Sequence, residues 1–203
     1  MYADNWSIKA KNAGYRSRAI YKLEEILQKT KSTTGIRNVL DIGSAPGGWS
    51  QLIRSKIKNS NVYAIDILDM PNIEGVRFFN VSIENIDSIT EIRELKDKFD
   101  LVISDLAPNI SGIAAVDNEN IYDLNVLTLN TAIKYLNSNK GSLIMKTFQN
   151  NKLKSLRKKM ELSFEVVQTL KPAASKKQSG EIFLYGAIKS VSYTHLTLPT
   201  ILP

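Results

Sequence analysis

The spacing of apolar residues changes several times along the chain, and each change marks an element. Between Ser17 and Gln28, Ala19, Ile20, Leu23, Ile26 and Leu27 recur at helical spacing, which predicts an amphipathic helix. Thr30 to Gly35 reads as a turn. Short apolar runs then alternate with helical patterns: a strand at Asn38–Ile42, a helix from Trp49 to about Lys56, and strands at Val62–Ile67 and Val76–Phe79. A helix near Ile86–Leu95 precedes a strand at Phe99–Ser104. Asp117–Leu136 carries Ile121, Leu124, Leu127 and Leu129 on a longer helix, followed by a strand at Ser142–Phe148. A basic helix at Leu153–Met160 leads to strands at Phe164–Thr169 and Ile182–Ile188, separated by a loop over 171–180.

This alternation predicts an α/β fold: a mostly parallel seven-stranded sheet with helices on both faces. Ligands of such sheets bind at the C-terminal ends of the strands, where the strand order reverses. There is no internal repeat and no long linker, so one domain is expected over residues 16–189, preceded by a loose basic arm over 1–15. The pattern breaks at Ser190–Pro203, where two prolines in five residues argue against a central strand; this stretch reads as a tail foreign to the domain.

Composition narrows the class. At 203 residues with 43% hydrophobic content, the chain is large enough to bury a substantial core. No run approaches the roughly 18 apolar residues of a membrane span, and the polar N-terminus lacks the centre of a signal peptide. Without cysteine, disulfides and thiolate metal sites are excluded, which agrees with a reducing, cytoplasmic setting. A single histidine, His195, makes a histidine metal site or triad implausible, and no metal is expected. The net charge of +7 is unevenly spread. Residues 1–31 hold seven Lys/Arg against three Asp/Glu, and residues 146–177 hold nine against two. Residues 41–131 reverse the balance, with seven basic and fourteen acidic side chains. Either basic patch alone reads as a solvated face, but two patches around an acidic middle favour a polyanion, most simply nucleic acid.

Candidate chemistry begins at Asp41-Ile-Gly-Ser-Ala-Pro-Gly-Gly-Trp49, a strand entering a Gly-rich turn that opens a helix. Missing side chains there let backbone N–H groups approach a ligand. The spacing of Gly43, Gly47 and Gly48 fits neither the phosphate loop nor the dinucleotide fingerprint. An acid at the strand tip, Asp41, suits a ligand with a cationic end and no phosphate, which points to S-adenosylmethionine. Further polar residues end or interrupt apolar strands: Asp66, placed to hold ribose hydroxyls, Asp105, Lys146 and Glu181. Any one of them read alone is a strand end reaching solvent. As a set they converge on one cleft, and a mid-strand lysine such as Lys146 needs an anionic partner or a changed protonation state.

Four segments carry a resemblance: Tyr15–Leu23 (YRSRAIYKL), Asp41–Gln51 (DIGSAPGGWSQ), Ser104–Gly112 (SDLAPNISG) and Ile144–Gln149 (IMKTFQ). In order and spacing they resemble the FtsJ/RrmJ family, the 2′-O-ribose methyltransferases of large-subunit ribosomal RNA, from about Ala13 to Ile188. The resemblance implies a Rossmann-like methyltransferase fold and a catalytic tetrad at Lys22, Asp105, Lys146 and Glu181. It carries cofactor contacts to Gly47, Trp49, Asp66 and Asp105, and Ser82 stands where the family commonly has an acid facing the adenine.

The implied reaction is an in-line displacement in which a ribose 2′-hydroxyl takes a methyl group from S-adenosylmethionine. Lys146 acts either as a neutral general base or as a cation stabilising the developing alkoxide, with Asp105 orienting it and Glu181 holding a lysine or the ribose. Arg16, Arg18, Lys152, Lys154, Arg157 and Lys158 are expected to grip RNA phosphates, and Tyr15 and Tyr21 offer stacking faces. A uridine of large-subunit ribosomal RNA, met within the large subunit by a monomeric enzyme, is the expected target. Transfer RNA, mitochondrial ribosomal RNA and a catalytically idle assembly factor are the alternatives. A nicotinamide-dependent oxidoreductase is disfavoured by the glycine spacing.

Overall fold

The computed structural model describes residues 5–176 and 178–188. Seven strands form one sheet: β1 (Asn38–Ile42), β2 (Asn61–Asp66), β3 (Val76–Asn80), β4 (Leu101–Ser104), β5 (Ser142–Phe148), β6 (Val166–Leu170) and β7 (Glu181–Ala187). Their spatial order is β3-β2-β1-β4-β5-β7-β6. All neighbouring pairs from β3 to β5 are parallel, whereas β7 runs antiparallel to both β5 and β6. The order reverses between β1 and β4, so the chain segments leaving their C-terminal ends diverge and open a crevice.

Alternation along the strands builds two cores. Val39, Val62, Ala64, Leu101, Ile103, Ile144 and Phe183 face α2 (Ile20–Thr30) and α3 (Gly48–Lys56). Leu40, Ile42, Ile65, Val102, Leu143, Met145 and Leu184 face α5 (Ala114–Tyr135) and α6 (Leu153–Glu161). On α5, Ile121, Asn125, Thr128, Leu129, Ala132 and Tyr135 form the buried stripe, at the three- and four-residue spacing of one helix face. Asn125 donates through Nδ2 to the Lys146 carbonyl at 2.9 Å, which fixes this helix against the middle of β5.

Several sequence expectations need correction. The arm expected to be loose contains helix α1 (Asn5–Asn12), which lacks a broad apolar stripe and buries Ala10. It is held instead by aromatic contacts: the Trp6 and Tyr21 rings lie 5.1 Å apart, with Lys9 Nζ over Tyr21 at 4.8 Å. The helix expected at Ile86–Leu95 divides into a 3₁₀ segment, Ile83–Ser88, and the single turn α4 (Thr90–Arg93). Ile83 and Ile86 are buried three residues apart, the 3₁₀ repeat, and extended Ile89 breaks the run. Phe99 forms only an isolated bridge to Leu136, the residue capping the end of α5, so β4 begins at Leu101. β6 starts two residues later than expected, at Val166. Its outer edge is covered by Arg157, which bonds Thr169 Oγ1 and the Val167 carbonyl, one way to blunt an exposed strand edge. The tail at Ser190–Pro203 lies outside the described residues.

Candidate active site

The turn after β1 is tightly built. Gly43 N and Ser44 N both donate to the Ile65 carbonyl, and Ala45 N donates to Asp66 Oδ2 at 2.8 Å. Asp66 Oδ1 accepts from Leu68 N at 2.8 Å, so both oxygens are oriented by backbone. Gly47 has φ of 105° at the entry to α3, and a Cβ there would meet Ile73 Cδ1 at 2.6 Å and Met70 Sδ at 2.9 Å. At Gly48 a Cβ would approach Ser17 Cβ to 3.0 Å, so this glycine brings the chain ahead of α2 onto the turn. Trp49 turns inward: its indole N–H donates to the Ala19 carbonyl at 2.9 Å and its ring packs 5.8 Å from Phe183. What Trp49 presents to a ligand is therefore backbone.

Beside this turn lies a cleft of about 290 Å³, lined by Gly43, Asp66, Ser82, Glu84, Ala107 and Asn109 among others. A small recess next to it, bounded by Gly43, Ser44, Gly48 and Asp105, contains Ser44. Ser44 Oγ is buried and has no hydrogen-bond partner among the described residues. An apolar-walled cleft with one strand-tip carboxylate, joined to a recess with an unused hydroxyl at a helix N-terminus, fits a nucleoside carrying an amino-acid arm. Ser82 donates to Glu84, which itself lines the cleft. A carboxylate thus lies at the cleft two residues beyond Ser82, which sequence position alone did not indicate.

Asp41 is fully buried behind the turn. Its Oδ2 accepts from Ser50 Oγ at 2.7 Å, and Oδ1 has no partner among the described residues. Burial pushes its carboxyl up to about 7, with the charges of Asp105 and Asp66 adding to the rise. Asp41 therefore supports the turn from behind and does not line the cleft.

The four residues of the expected tetrad come together from α2 and the upper ends of β4, β5 and β7. Lys22 Nζ lies 2.7 and 2.8 Å from the two oxygens of Glu181. Lys146 Nζ lies 2.9 Å from Asp105 Oδ1 and also donates to the Asp105 carbonyl oxygen. All four side chains are largely shielded from solvent. Burial pushes the Asp105 carboxyl up, against the pull of Lys146 and Lys22. For Glu181 burial acts in the same direction, but the hydrogen bond and charge of Lys22 outweigh it and hold the group below its usual range. Each carboxylate thus feels both lysines, as one electrostatic unit.

Two supporting residues escaped the sequence reading. Buried Ser175 donates to Glu181 Oε1 at 2.8 Å, joining loop 171–180 to the tetrad. Asp117, in the first turn of α5, accepts from Ser111 N, Ser111 Oγ and Gly112 N at 2.7, 2.7 and 3.1 Å. It thereby fixes the loop that follows Asp105. A Ser and an Asp in polar stretches give no periodic signal, so only the fold reveals their partners.

The expected phosphate grips divide. Arg16 is corrected to a structural role: its guanidinium donates to the carbonyls of Pro46, Pro71 and Asn72, at 3.2, 2.6 and 2.8 Å. Arg157 is held on β6, and Lys152 pairs with Glu119 at 2.5 Å while sitting over Tyr122. Lys154 and Lys158 project from α6 into solvent, and Arg18 is half-buried just before α2. Tyr15 packs against the α2–α3 core and its hydroxyl lies 3.5 Å from Ser55 Oγ; Tyr21 is taken up by Trp6 and Lys9. Among the described residues no group of metal-ligating side chains and no membrane-length apolar helix is found.

The fold and the cleft define a Rossmann-like S-adenosylmethionine-dependent methyltransferase. Residues 15–189 match the sequence profile of the FtsJ-like methyltransferases, and the chain belongs to that family. It is 41% identical over 180 residues to the ribosomal RNA large subunit methyltransferase E of Nitrosospira multiformis, covering 87% of each chain. The protein of the same name from Xanthomonas oryzae pv. oryzae is 38% identical over 193 residues, covering 94% of this chain and 91% of that one. Among solved structures, a chain described as a ribosomal RNA methyltransferase from Plasmodium falciparum superposes with a TM-score of 0.74 at 28% identity, covering 86% of this chain and 98% of that one. A Burkholderia thailandensis N-methyltransferase, at 13% identity and a TM-score of 0.60, shares the fold.

Proposed function

We propose that the protein methylates a ribose 2′-hydroxyl of RNA, on a uridine of large-subunit ribosomal RNA, and that it meets this target within the large subunit. The observation that carries the chemistry is the pair of interlocked ion pairs, Lys22–Glu181 and Lys146–Asp105, at the rim of the cofactor cleft. The names of the relatives support the ribosomal target.

When bound, S-adenosylmethionine supplies an electrophilic methyl group on a sulfonium. Asp66, Ser82 and Glu84 would hold its nucleoside in the cleft, and Ser44 with the first amides of α3 its amino-acid arm. The rest of the task falls to the tetrad. A ribose hydroxyl is a poor nucleophile and sheds its proton as it attacks. Lys146, with three donors and its known partners on Asp105, retains an N–H to direct at that oxygen and stabilise negative charge as it develops. Asp105 is a fitting proton acceptor, because burial raises its carboxyl and Lys146 Nζ lies 2.9 Å from its Oδ1. The proton then moves from the hydroxyl to Lys146 as Lys146 passes one to Asp105, and charge balance is kept. Lys22 holds Glu181 in place, and Glu181 orients the ribose.

The test is incubation with methyl-tritiated S-adenosylmethionine and purified large subunits lacking ribose methylation, beside Lys146→Ala. Label at a ribose of the ribosomal RNA with wild type, lost in the variant, supports the proposal. Normal cofactor binding with no transfer to any RNA would point to an assembly factor instead, and transfer to tRNA alone would reassign the target.

A further inference from the structure

The segment leaving Asp105 carries an unusual surface. Ile110 and Ile113 are 60% and 62% exposed, and Val116 beside them is 45% exposed. Single exposed aliphatic residues are ordinary, but three within seven positions next to a catalytic carboxylate call for a partner. The tip is also rigidly built. Asp117 takes three hydrogen bonds from Ser111 and Gly112, Ser111 Oγ accepts from Ile113 N at 3.2 Å, and Gly112 adopts φ of 87°. A floppy loop would let the isoleucines collapse inward, whereas this one presents them.

The surroundings identify the occupant. Pro108 and Asn109, just before the tip, line the cofactor cleft. The tip leads into α5, to which the start of α6 is fixed where Lys152 pairs with Glu119 and covers Tyr122. Exposed Lys154 and Lys158 follow on α6. Along the chain the apolar tip thus joins the cleft-lining Pro108 and Asn109 to α5, the helix that holds the start of cationic α6. A nucleotide turned out of its stack would bring its ribose to Asp105 and Lys146, and aliphatic side chains inserted at a base step are a known means of holding such a gap open.

We propose that Ile110 and Ile113 form a wedge that stacks on the nucleobase neighbouring the target and holds the target nucleotide out of its stack. This rests on the RNA-methylating reading above. The test substitutes Ile110 and Ile113 together with Ala, Leu, Phe or Lys, and measures methyl transfer to unmethylated large subunits along with the Kd for S-adenosylhomocysteine. A wedge depends on apolar bulk: Leu and Phe should retain activity within about threefold, while Ala and Lys should lose about tenfold or more, with cofactor affinity unchanged throughout. Retained activity in the Lys variant would mean a phosphate contact, and full activity in the Ala variant no contact at all; either overturns the proposal. A parallel loss of cofactor affinity would assign the tip to the cofactor and overturn it as well. In a second arm, a photo-crosslinking phenylalanine analogue at position 113 should attach to ribosomal RNA; attachment to a ribosomal protein would overturn the wedge in favour of protein docking. Failure of the underlying reading looks different, since wild type itself would then transfer no label to RNA.

Discussion

The two halves of the sheet satisfy their polar groups in opposite ways. In the half formed by β1, β2 and β3, carboxylates are bonded to backbone or to a neighbouring hydroxyl: Asp66 to the amides of Ala45 and Leu68, Asp41 to Ser50. In the half formed by β4, β5 and β7, charged side chains from distant parts of the chain are bonded to one another. Backbone partners make a fixed mould, ready for a cofactor that is the same at every turnover. Mutual ion pairs make a site whose donors can be redirected to a substrate oxygen. The first arrangement is suited to holding, the second to handling a proton.

That contrast can be broken most sharply at the tetrad. Lys146→Ala should lower kcat by about 10²–10⁴-fold while the Kd for S-adenosylhomocysteine stays within about twofold, the range expected for removing a proton-transfer group. An equal loss of cofactor affinity would show that the halves are not separable. On the holding side, Asp41 predicts a signature in stability. In the folded protein its carboxyl titrates near 7, above the usual value of 3.8, so between those values the native state keeps a proton that the unfolded chain releases. Stability should therefore fall as pH rises from about 4 to about 7, by an amount on the order of 1–4 kcal/mol. Asp41→Asn should flatten that slope in melting curves recorded across this range; parallel curves for variant and wild type would remove Asp41 as the cause. Gly47→Ala forces a side chain onto Ile73 and Met70 at a positive φ, and should weaken cofactor binding by about tenfold or more.

Smaller effects test the joints between the halves and the RNA. Ser175→Ala should lower kcat by about three- to tenfold with KM nearly unchanged, since one hydrogen bond to a charged group is lost. Ser175→Thr should restore most of the activity. Each of Lys154→Ala and Lys158→Ala should reduce the slope of log affinity against log salt by about one, with kcat unaffected at saturating RNA. A slope that does not move would remove α6 from the RNA-binding surface.

Much of this architecture is written in local pattern. The alternation of apolar runs gives the strands and most helices, and the strand-tip residues Asp66, Asp105 and Glu181, with mid-strand Lys146, stand out because charge interrupts hydrophobic sequence. What stays illegible is pairing across long separations. Lys22 and Glu181 lie 159 residues apart, and no local rule says which carboxylate a lysine will meet. Arg16 reads as a phosphate grip because arginine next to a basic segment usually is one. Its three carbonyl partners, 30 to 56 residues away, become neighbours only when the turn after β1 and the loop after β2 fold over it. Helix α1 escaped for a different reason: Trp6, Lys9 and Tyr21 hold it by ring and cation contacts, which leave no apolar period. Glu84 escaped because it lies two residues past Ser82, inside the 3₁₀ segment, where no strand pattern singles it out.

The reversed direction of β7 has a practical consequence for anyone building on this scaffold. Because β7 begins at the cleft edge with Glu181, it ends at the far edge, where Ala187 pairs with Ser142 and Ile188 N bonds the Gly141 carbonyl. A purification handle, fluorophore or surface tether attached beyond Ile188 would start from the side of the sheet opposite the cleft. Immobilised through that point, the protein would present its open face outward, as the proposed ribosomal target requires.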